Sequence, residues 1–344
     1  MAKTIFDLVK AQFIASFWTT MEHEETYLTR ELFPHDKQLG LDLRWIRGAK
    51  GQSVVLKPSA FDAAAIPRPR IGFSELKVQM PYFKESMYID EELRQQLNMV
   101  IATGNKEFED AVMDRIFDDT VQLIKGAAAR REMMRSMLLS TGIIAMTGNG
   151  QNYEFDYGVT NKVTAATPWA TTTSDPIEDI RIAKETIQGK TGETLTRAMC
   201  DGKSFRNLVR NEKIRNTIFP IEQAAGRILS DAQLKSFVLA EQGIVIVVND
   251  NHYREADGTV VRYFPENTFV MFPSGNLGKM MFGTTPAESD LQTSNKANVA
   301  IVDTGVAITT TEKVDPVQVE TIVSQICLPS LERADSVYIL NTGN

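Results

Sequence analysis

The sequence has little cysteine and little histidine, and each shortage excludes a class of protein. Cys200 and Cys327 are the only two cysteines, too few for the disulfide framework of a small secreted domain, so the composition fits a reducing cytoplasm. The three histidines, His23, His35 and His252, lie far apart, and no motif places them at the spacing of a metal site. We therefore expect neither a metal nor a cofactor.

Long apolar runs and an excess of basic residues are also missing. The apolar run at 244–248 is far shorter than the roughly 18 residues that a membrane-spanning helix needs, and Asp7 and Lys10 interrupt the apolar start of the chain, so no signal peptide is predicted. The 37 Lys and Arg residues against 44 Asp and Glu give a net charge of -7, which disfavours a protein that binds nucleic acid mainly through charge. We expect a soluble globular protein without a membrane partner.

Catalytic motifs are absent as well. Cys200 falls in an apolar strand, where a thiol behaves as a small hydrophobic group. Asp114, Asp118 and Asp119 share one side of a helix but lack the His or Glu partners of a carboxylate metal site. We expect no enzyme, and a small-molecule enzyme that uses Cys200 or the acidic helix face remains the alternative from another class.

What is present begins with an amphipathic pattern at the start of the chain. Phe6, Val9, Phe13 and Phe17 recur at helical spacing, which predicts a helix within the first twenty residues. Three glutamates follow within five residues and would be repelled by an anionic membrane surface. The apolar face is therefore expected to dock onto protein.

Residues 48–81 have an extended pattern. Alternation at 76–80 predicts a half-buried strand, and 54–56 is a second strand-like run. Between these runs, Pro67 and Pro69 cannot donate to a strand ladder, which places them at a tip or an edge. The pattern predicts a long two-stranded excursion, which is marginal alone in water and needs a surface to lie on.

A single long helix is predicted from Asn105 to Thr141, with Gly142 as its left-handed cap. At 1.5 Å per residue it would be about 55 Å long. Its second half carries a basic cluster, which we expect to complement neighbouring carboxylates rather than nucleic acid: Lys125, Arg130, Arg131 and Arg135.

Beyond this helix the pattern alternates between strand and helix. Gly148-Asn149-Gly150 predicts a tight turn between strands, and Asp175-Pro176 predicts a capped helix start. Further predicted elements are strands at 196–200, 244–248, 268–272, 280–282, 317–328 and 336–340, a helix at 205–217, a turn at 201–202 and a hairpin about Asp257-Gly258.

This ordered set of features resembles the phage lambda-type major capsid protein E family, whose members have the Hong Kong 97 capsid fold. The landmarks are Pro67-Arg68-Pro69, Leu138-Leu139-Ser140-Thr141-Gly142, Asp156-Tyr157-Gly158, Trp169 before Asp175-Pro176, and Phe264-Pro265-Glu266-Asn267-Thr268. The correspondence covers nearly the whole chain.

The resemblance implies an α+β Hong Kong 97-like fold with four parts. These are an N-terminal arm (1–47), an extended E-loop (48–89), a peripheral domain with a spine helix (90–173 and 308–344) and an axial domain (174–307). Contacts between subunits are expected at Phe6, Phe13, Phe17, Pro67, Arg68, Pro69 and Arg70.

The function implied is the major capsid protein of a tailed double-stranded DNA phage or prophage. It would self-assemble into hexamers and pentamers of an icosahedral shell that encloses DNA without sequence-specific binding, after synthesis in the host bacterial cytoplasm. A separate scaffolding protein and a portal are expected partners, and a decoration protein is left open. The alternative within the same architecture is an encapsulin-type nanocompartment shell.

Overall fold

The structure is a computed structural model, and it describes residues 9–20, 27–47, 74–89, 91–92, 94–96, 99, 106–219, 227–255, 257–291, 297–315 and 317–343. The chain divides into two compact units, each built from separate stretches of sequence. The first unit contains 1–43, 77–134 and 279–330, and the second contains 44–76, 135–278 and 331–344. The chain therefore passes from one unit to the other five times.

The helices and strands alternate irregularly along the chain. The helices are α1 (Ala11–Thr20), α2 (Lys106–Thr141), α3 (Pro176–Thr191), α4 (Gly202–Arg210), α5 (Glu212–Ile218) and α6 (Asp231–Gln242). The first strands are β1 (His35–Lys37), β2 (Asp42–Arg47), β3 (Ser74–Gln79), β4 (Tyr82–Ile89), β5 (Ile143–Gly148), β6 (Gln151–Asp156), β7 (Lys162–Thr164) and β8 (Leu195–Cys200). The others are β9 (Val245–Val248), β10 (His252–Arg254), β11 (Val260–Arg262), β12 (Thr268–Pro273), β13 (Met280–Phe282), β14 (Asn298–Val302), β15 (Val306–Val314), β16 (Val317–Pro329) and β17 (Tyr338–Asn341).

The first unit is organised around the 13-residue strand β16. One side of β16 pairs with β15, and β14 lies beyond β15; the other side pairs with β4 and then with β13, beyond which β1 lies. All of these pairings are antiparallel except that of β1 with β13. Apolar side chains of α1 and of the first half of α2 pack with those of the sheet to form one core: Ile14, Trp18, Ile116, Ile124, Val302, Val306, Ile308, Val319 and Val323.

The second unit contains a five-stranded sheet in the order β7-β17-β12-β8-β9. The β8–β9 and β17–β7 pairs are parallel, whereas β12 is antiparallel to both of its neighbours. Residues of α3, α4 and α6 contribute Ile180, Phe205 and Leu234 to the core of this unit. Trp169 is fully buried there, with its ring centroid 5.0 Å from that of Phe269.

Several local signals of the sequence are confirmed. Helix α2 has 36 residues and ends at Gly142, whose φ of +70° is the left-handed conformation predicted for the cap. Asn149 and Gly150 both have positive φ, which suits the two-residue turn between β5 and β6. Asp175 caps α3 by accepting a hydrogen bond from the Glu178 backbone N–H at 3.2 Å.

Other local predictions are wrong, and the structure shows the reason for each. Asp201-Gly202 is a helix start rather than a turn, because the Asp201 carboxylate accepts hydrogen bonds from two backbone N–H groups of α4. The helix predicted over 205–217 is two helices, because Asn211 caps the second. The strand β3 pairs with β2, whereas the predicted partner at 54–56 lies outside the described residues. Strands β1, β2, β4, β7, β14 and β15 and helix α6 were not predicted.

No helix among the described residues has the length and apolar content needed to cross a membrane.

Candidate assembly surface

The thiol proposed for the alternative enzyme lies in the core. Cys200 is fully buried in β8, and burial, followed by the charge of Asp201, raises the pKa of its thiol. Cys327 is fully buried in β16. Because the thiolate is the nucleophile, a buried thiol with a raised pKa is unsuited to nucleophilic catalysis at neutral pH.

The acidic helix face and the histidines do not form a metal site in the described part of the chain. Asp118 and Asp119 are exposed, and the side chain of Asp114 lies outside the described residues. No group of three His, Cys, Asp or Glu side chains that could hold a metal is found among the described residues. His35 packs edge-on against Phe282, with ring centroids 5.1 Å apart, which is a structural contact.

The basic cluster of α2 complements carboxylates, as predicted, at one of its members. Arg131 is buried and pairs with Asp303, with Nη2 2.9 Å from Oδ2. Arg135 is also buried, which a nucleic-acid contact would not allow, and Arg130 lies 5.7 Å above the ring of Phe83. These arginines hold the fold and do not form a basic surface.

Helix α1 presents a different apolar face from the predicted one. Ala11, Ile14 and Trp18 are buried, while Phe13 is 52% exposed. Val9 of the predicted face is buried, but the helix itself packs through Ile14 and Trp18. Phe13 lies about 100° around the helix from Ile14. Phe13 therefore remains an accessible apolar side chain on a helix whose opposite side is fixed in the core.

Phe17, the second predicted contact residue in this helix, is half-buried. Its ring centroid lies 5.4 Å from that of Phe117 in α2, so at least part of its surface is used within the chain. The other predicted contact residues lie outside the described residues: Phe6, Pro67, Arg68, Pro69 and Arg70.

Strand β4 offers a second surface in the first unit. Among the described residues it pairs only with β16, so one edge carries backbone groups without a strand partner. Its large side chains Tyr82, Met87 and Tyr88 are exposed. An exposed edge with apolar side chains is a template for association with another chain.

Exposed apolar side chains also occur outside these two elements. Leu39 is 92% exposed in the first unit, and Ile228 is 90% exposed in the second. Leu239, Val245 and Val260 of the second unit are about half exposed. Sequence reasoning missed all five, because single apolar residues in loops, or on the outer side of short elements, give no periodic signal.

The tip of the hairpin formed by β5 and β6 is exposed to solvent. All residues from 147 to 152 are exposed at its tip, while Tyr153 and Phe155 stack at a centroid distance of 6.0 Å. A two-stranded hairpin is marginal alone in water and gains stability from a neighbouring surface. A neighbouring surface would therefore stabilise this hairpin.

This chain resembles known phage and prophage proteins. A family model for phage major capsid protein E matches residues 11–342. A phage-related protein from Bordetella bronchiseptica RB50 has a similar structure, with a TM-score of 0.55, 14% sequence identity and coverage of 97% of each chain. The putative capsid protein of a prophage of Escherichia coli CFT073 matches at a TM-score of 0.53 and 18% identity, over 78% of this chain and 79% of that one. No curated protein sequence matches. The similarity to these two structures confirms the predicted α+β capsid fold.

Proposed function

We propose, from the premise that this chain belongs to the phage major capsid protein E family, that its copies assemble into the hexamers and pentamers of an icosahedral shell around double-stranded DNA. The family match over residues 11–342 carries the proposal, because it covers the whole fold rather than one motif. The same match favours the phage shell over an encapsulin-type compartment and over an enzyme. The family is that of a structural protein of the phage virion.

The accessible apolar groups of the first unit support assembly. Phe13 stands on a helix that is anchored by Ile14 and Trp18, so its position is fixed before any partner arrives. Closed oligomers built from one chain need surfaces that another copy can cover. We infer that the N-terminal arm at 1–47 and the E-loop at 48–89 make these contacts, with the peripheral and axial domains as predicted from the resemblance.

The tip of the E-loop supplies a test that is specific to this region. If Pro67 and Arg68 contact a neighbour, Pro67→Gly and Arg68→Glu will leave the melting temperature of the soluble subunit unchanged and reduce the yield of shells. Normal shells from both variants would exclude the tip as an important contact.

The proposal extends to partners that act during assembly. The net charge of -7 suits a wall that encloses DNA without binding it tightly. A separate scaffolding protein directs assembly in the bacterial cytoplasm, and a portal occupies one vertex. The presence of a gene for a decoration protein decides whether such a protein covers the outside of the shell.

Electron microscopy of the expressed chain tests the central proposal. The protein is produced with and without the candidate scaffold from its gene neighbourhood and imaged in negative stain. Shells, or rings of six and five, are the expected products. A compact monomer under both conditions, even when concentrated, would contradict the proposal; uniform closed shells from the chain alone would contradict the requirement for a scaffold.

A further inference from the structure

Helix α2 contains a run of six buried residues, 131–136, that includes Arg131. A buried charge is costly unless it is paired and hydrogen-bonded. The side chain of Arg131 is only 5% exposed, and its guanidinium donates to two partners: Nη2 lies 2.9 Å from Asp303 Oδ2 and Nη1 lies 2.8 Å from Gln325 Oε1. We call Arg131, Asp303 and Gln325 the polar cluster.

Gln325 ties the same guanidinium to both the sheet and the helix. It belongs to β16, and its Nε2 donates to the backbone carbonyl of Ala127, one turn before Arg131, at 2.9 Å. The guanidinium carbon also lies 5.6 Å above the ring of Phe282 in β13. Because hydrogen bonds are directional, this arrangement specifies the position of α2 along the sheet.

Asp303 fixes the turn between β14 and β15. Its φ is +50°, a left-handed conformation that is uncommon outside glycine and that aspartate tolerates better than most residues. Val302 and Val306 pair directly, so Asp303, Thr304 and Gly305 form a three-residue turn. A Cβ at Gly305 would lie 2.9 Å from Cβ of Phe282, so the turn approaches β13 closely.

A third contact holds the turn on the side of β1. The Thr304 hydroxyl lies 3.3 Å from Nδ1 of His35, whose ring packs against Phe282. The turn is therefore connected to α2 through Asp303, to β13 through Gly305 and to β1 through Thr304. It is the point at which α2, β13 and β1 are positioned around the β14–β15 hairpin of the first unit.

The surroundings explain why a polar cluster at this place is unexpected. The core beside it is apolar, with Val302, Val306 and Ile308 packed against residues of α1 and α2. Arg131 is buried in this ion pair, whereas Asp303 is exposed, with 26% of its side chain accessible. Solvent therefore screens the pair, and its contribution to stability is small. Apolar contacts are non-directional and permit a helix to pack at more than one offset along a sheet.

We propose that the polar cluster is a geometric lock, which fixes the β14–β15 hairpin relative to α2 with little net gain in stability, so that copies of the subunit enter the shell with one shape. This inference rests on the proposed function, because only an assembled shell converts subunit shape into particle shape. The lock itself is a property of the soluble subunit and can be tested there.

The triple variant Arg131→Met/Asp303→Gly/Gln325→Met tests the lock by removing its polar atoms. The variant is expected to melt near the temperature of the wild type. Amide hydrogen exchange in residues 298–310 becomes at least tenfold faster than in the wild type, while exchange in β12 of the second unit, the internal control, stays unchanged. Its shells are expected to have a broader distribution of diameters. Unchanged exchange in 298–310, or shells as uniform as those of the wild type, would overturn the proposal.

A pair of single variants keeps the proposal testable if the triple variant does not fold. Asp303→Gly removes the charge and relieves the backbone, whereas Asp303→Asn keeps the tolerance of positive φ and one acceptor but removes the charge. The lock predicts faster exchange at 298–310 in both variants, with the larger increase in Asp303→Gly. A glycine variant with wild-type exchange would show that only the backbone matters, and would refute the lock.

The two proposals fail in different ways. If the wild type forms no shell under any condition, the proposed function fails, and the exchange rates of the soluble subunits still decide the lock. If the wild type forms shells and the variants form equally uniform ones, the lock fails and the proposed function stands.

Discussion

Asp179 lies half-buried in the first turn of α3, where the indole Nε1 of Trp169 donates to its Oδ2 at 2.7 Å. Burial raises the pKa of this carboxyl above the ordinary 3.8, and the hydrogen bond from Trp169 opposes the rise only in part. The nearby charges of Asp175 and Glu178 act in the same direction as burial. The surroundings of Asp179 therefore disfavour the charged form of its carboxyl.

The sign of this shift predicts how stability depends on pH. With a raised folded-state pKa, the folded chain binds the proton more tightly than the unfolded chain, so the associated stability is present below pH 3.8 and is lost as the pH rises through the folded pKa. We expect Asp179→Asn to be at least as stable as the wild type at pH 7, because the amide oxygen still accepts from Trp169 and no charge is desolvated. Its stability relative to the wild type should decrease as the pH falls toward 4.

Urea unfolding of both proteins between pH 4 and 7 measures this difference. Glu185→Gln, which removes an exposed carboxylate from the same helix, is the control for the change in net charge. A variant that is clearly less stable than the wild type at pH 7 would contradict the prediction and show that Trp169 binds the charged form with a net gain.

The cysteines give a second prediction for single residues. Both thiols are fully buried, and burial raises the pKa of Cys200, so neither should react with a thiol reagent in the folded chain. Titration with Ellman's reagent should detect close to none of the two thiols in buffer and both in denaturant. Rapid reaction of one thiol in buffer would show that its strand opens readily, and would revive the enzyme alternative for Cys200.

At the scale of elements, the start of α3 is a measurable contribution to stability. Asp175 accepts from the Glu178 N–H, and its other oxygen lies 3.0 Å from Lys213 Nζ. Asp175→Ala removes the cap and should lower the free energy of unfolding by about 1 kcal/mol. Asp175→Ser keeps a cap and loses only the exposed ion pair with Lys213, so most of the stability should remain. Equal losses in both variants, measured by urea unfolding, would show that the ion pair rather than the cap is responsible.

Helices, strands and turns were predictable where a few consecutive residues carry the signal. The strands with which a given strand pairs were not predictable. The caps Asp175 and Gly142 and the turn at Asn149-Gly150 are visible in a few consecutive residues. By contrast, β4 shows no clean alternation because most of its side chains are exposed, and its partner β16 is more than two hundred residues away. Long-range pairing is decided by packing between distant segments, which no local pattern contains.

The same limit on prediction applies to the candidate surface and to the interior: the local character of a residue is predictable, and its partner is not. The sequence predicts that Phe13 is apolar and helical, but the packing of Ile14 and Trp18 into the core decides that it faces outward. The pairing of Arg131 with Asp303 connects residues 172 positions apart, so the expected role of the basic cluster could be predicted while the partner could not. Family resemblance supplied what the local patterns lacked, because it describes the whole order of elements.

At the scale of the whole molecule, Phe13 gives the prediction that connects the subunit to the shell. Phe13→Ser removes an exposed ring, so the soluble subunit should change in stability by less than about 0.5 kcal/mol. Shell yield, measured by sedimentation and electron microscopy, should fall if the ring is covered by another copy. Gln12→Ser, at the neighbouring exposed position, is the matched control. Equal yields from both variants would show that Phe13 stays in solvent in the particle.

Strand β17, the last described strand in sequence order, lies between β7 and β12, one place from the edge of the second unit's five-stranded sheet. Thr342 just beyond it donates from its backbone N–H to the carbonyl of Asn267 at 2.8 Å, and its carbonyl accepts from the Trp169 N–H at 2.7 Å. During translation, the edges of β7 and β12 that pair with β17 therefore stay unpaired until β17 is synthesised, more than sixty residues after β12. A chain cut short before Tyr338 lacks the strand that joins β7 to β12. Loss of β17 would leave β7 with no strand partner among the described residues and would expose one edge of β12. The stability of the second unit therefore depends on Tyr338–Asn341.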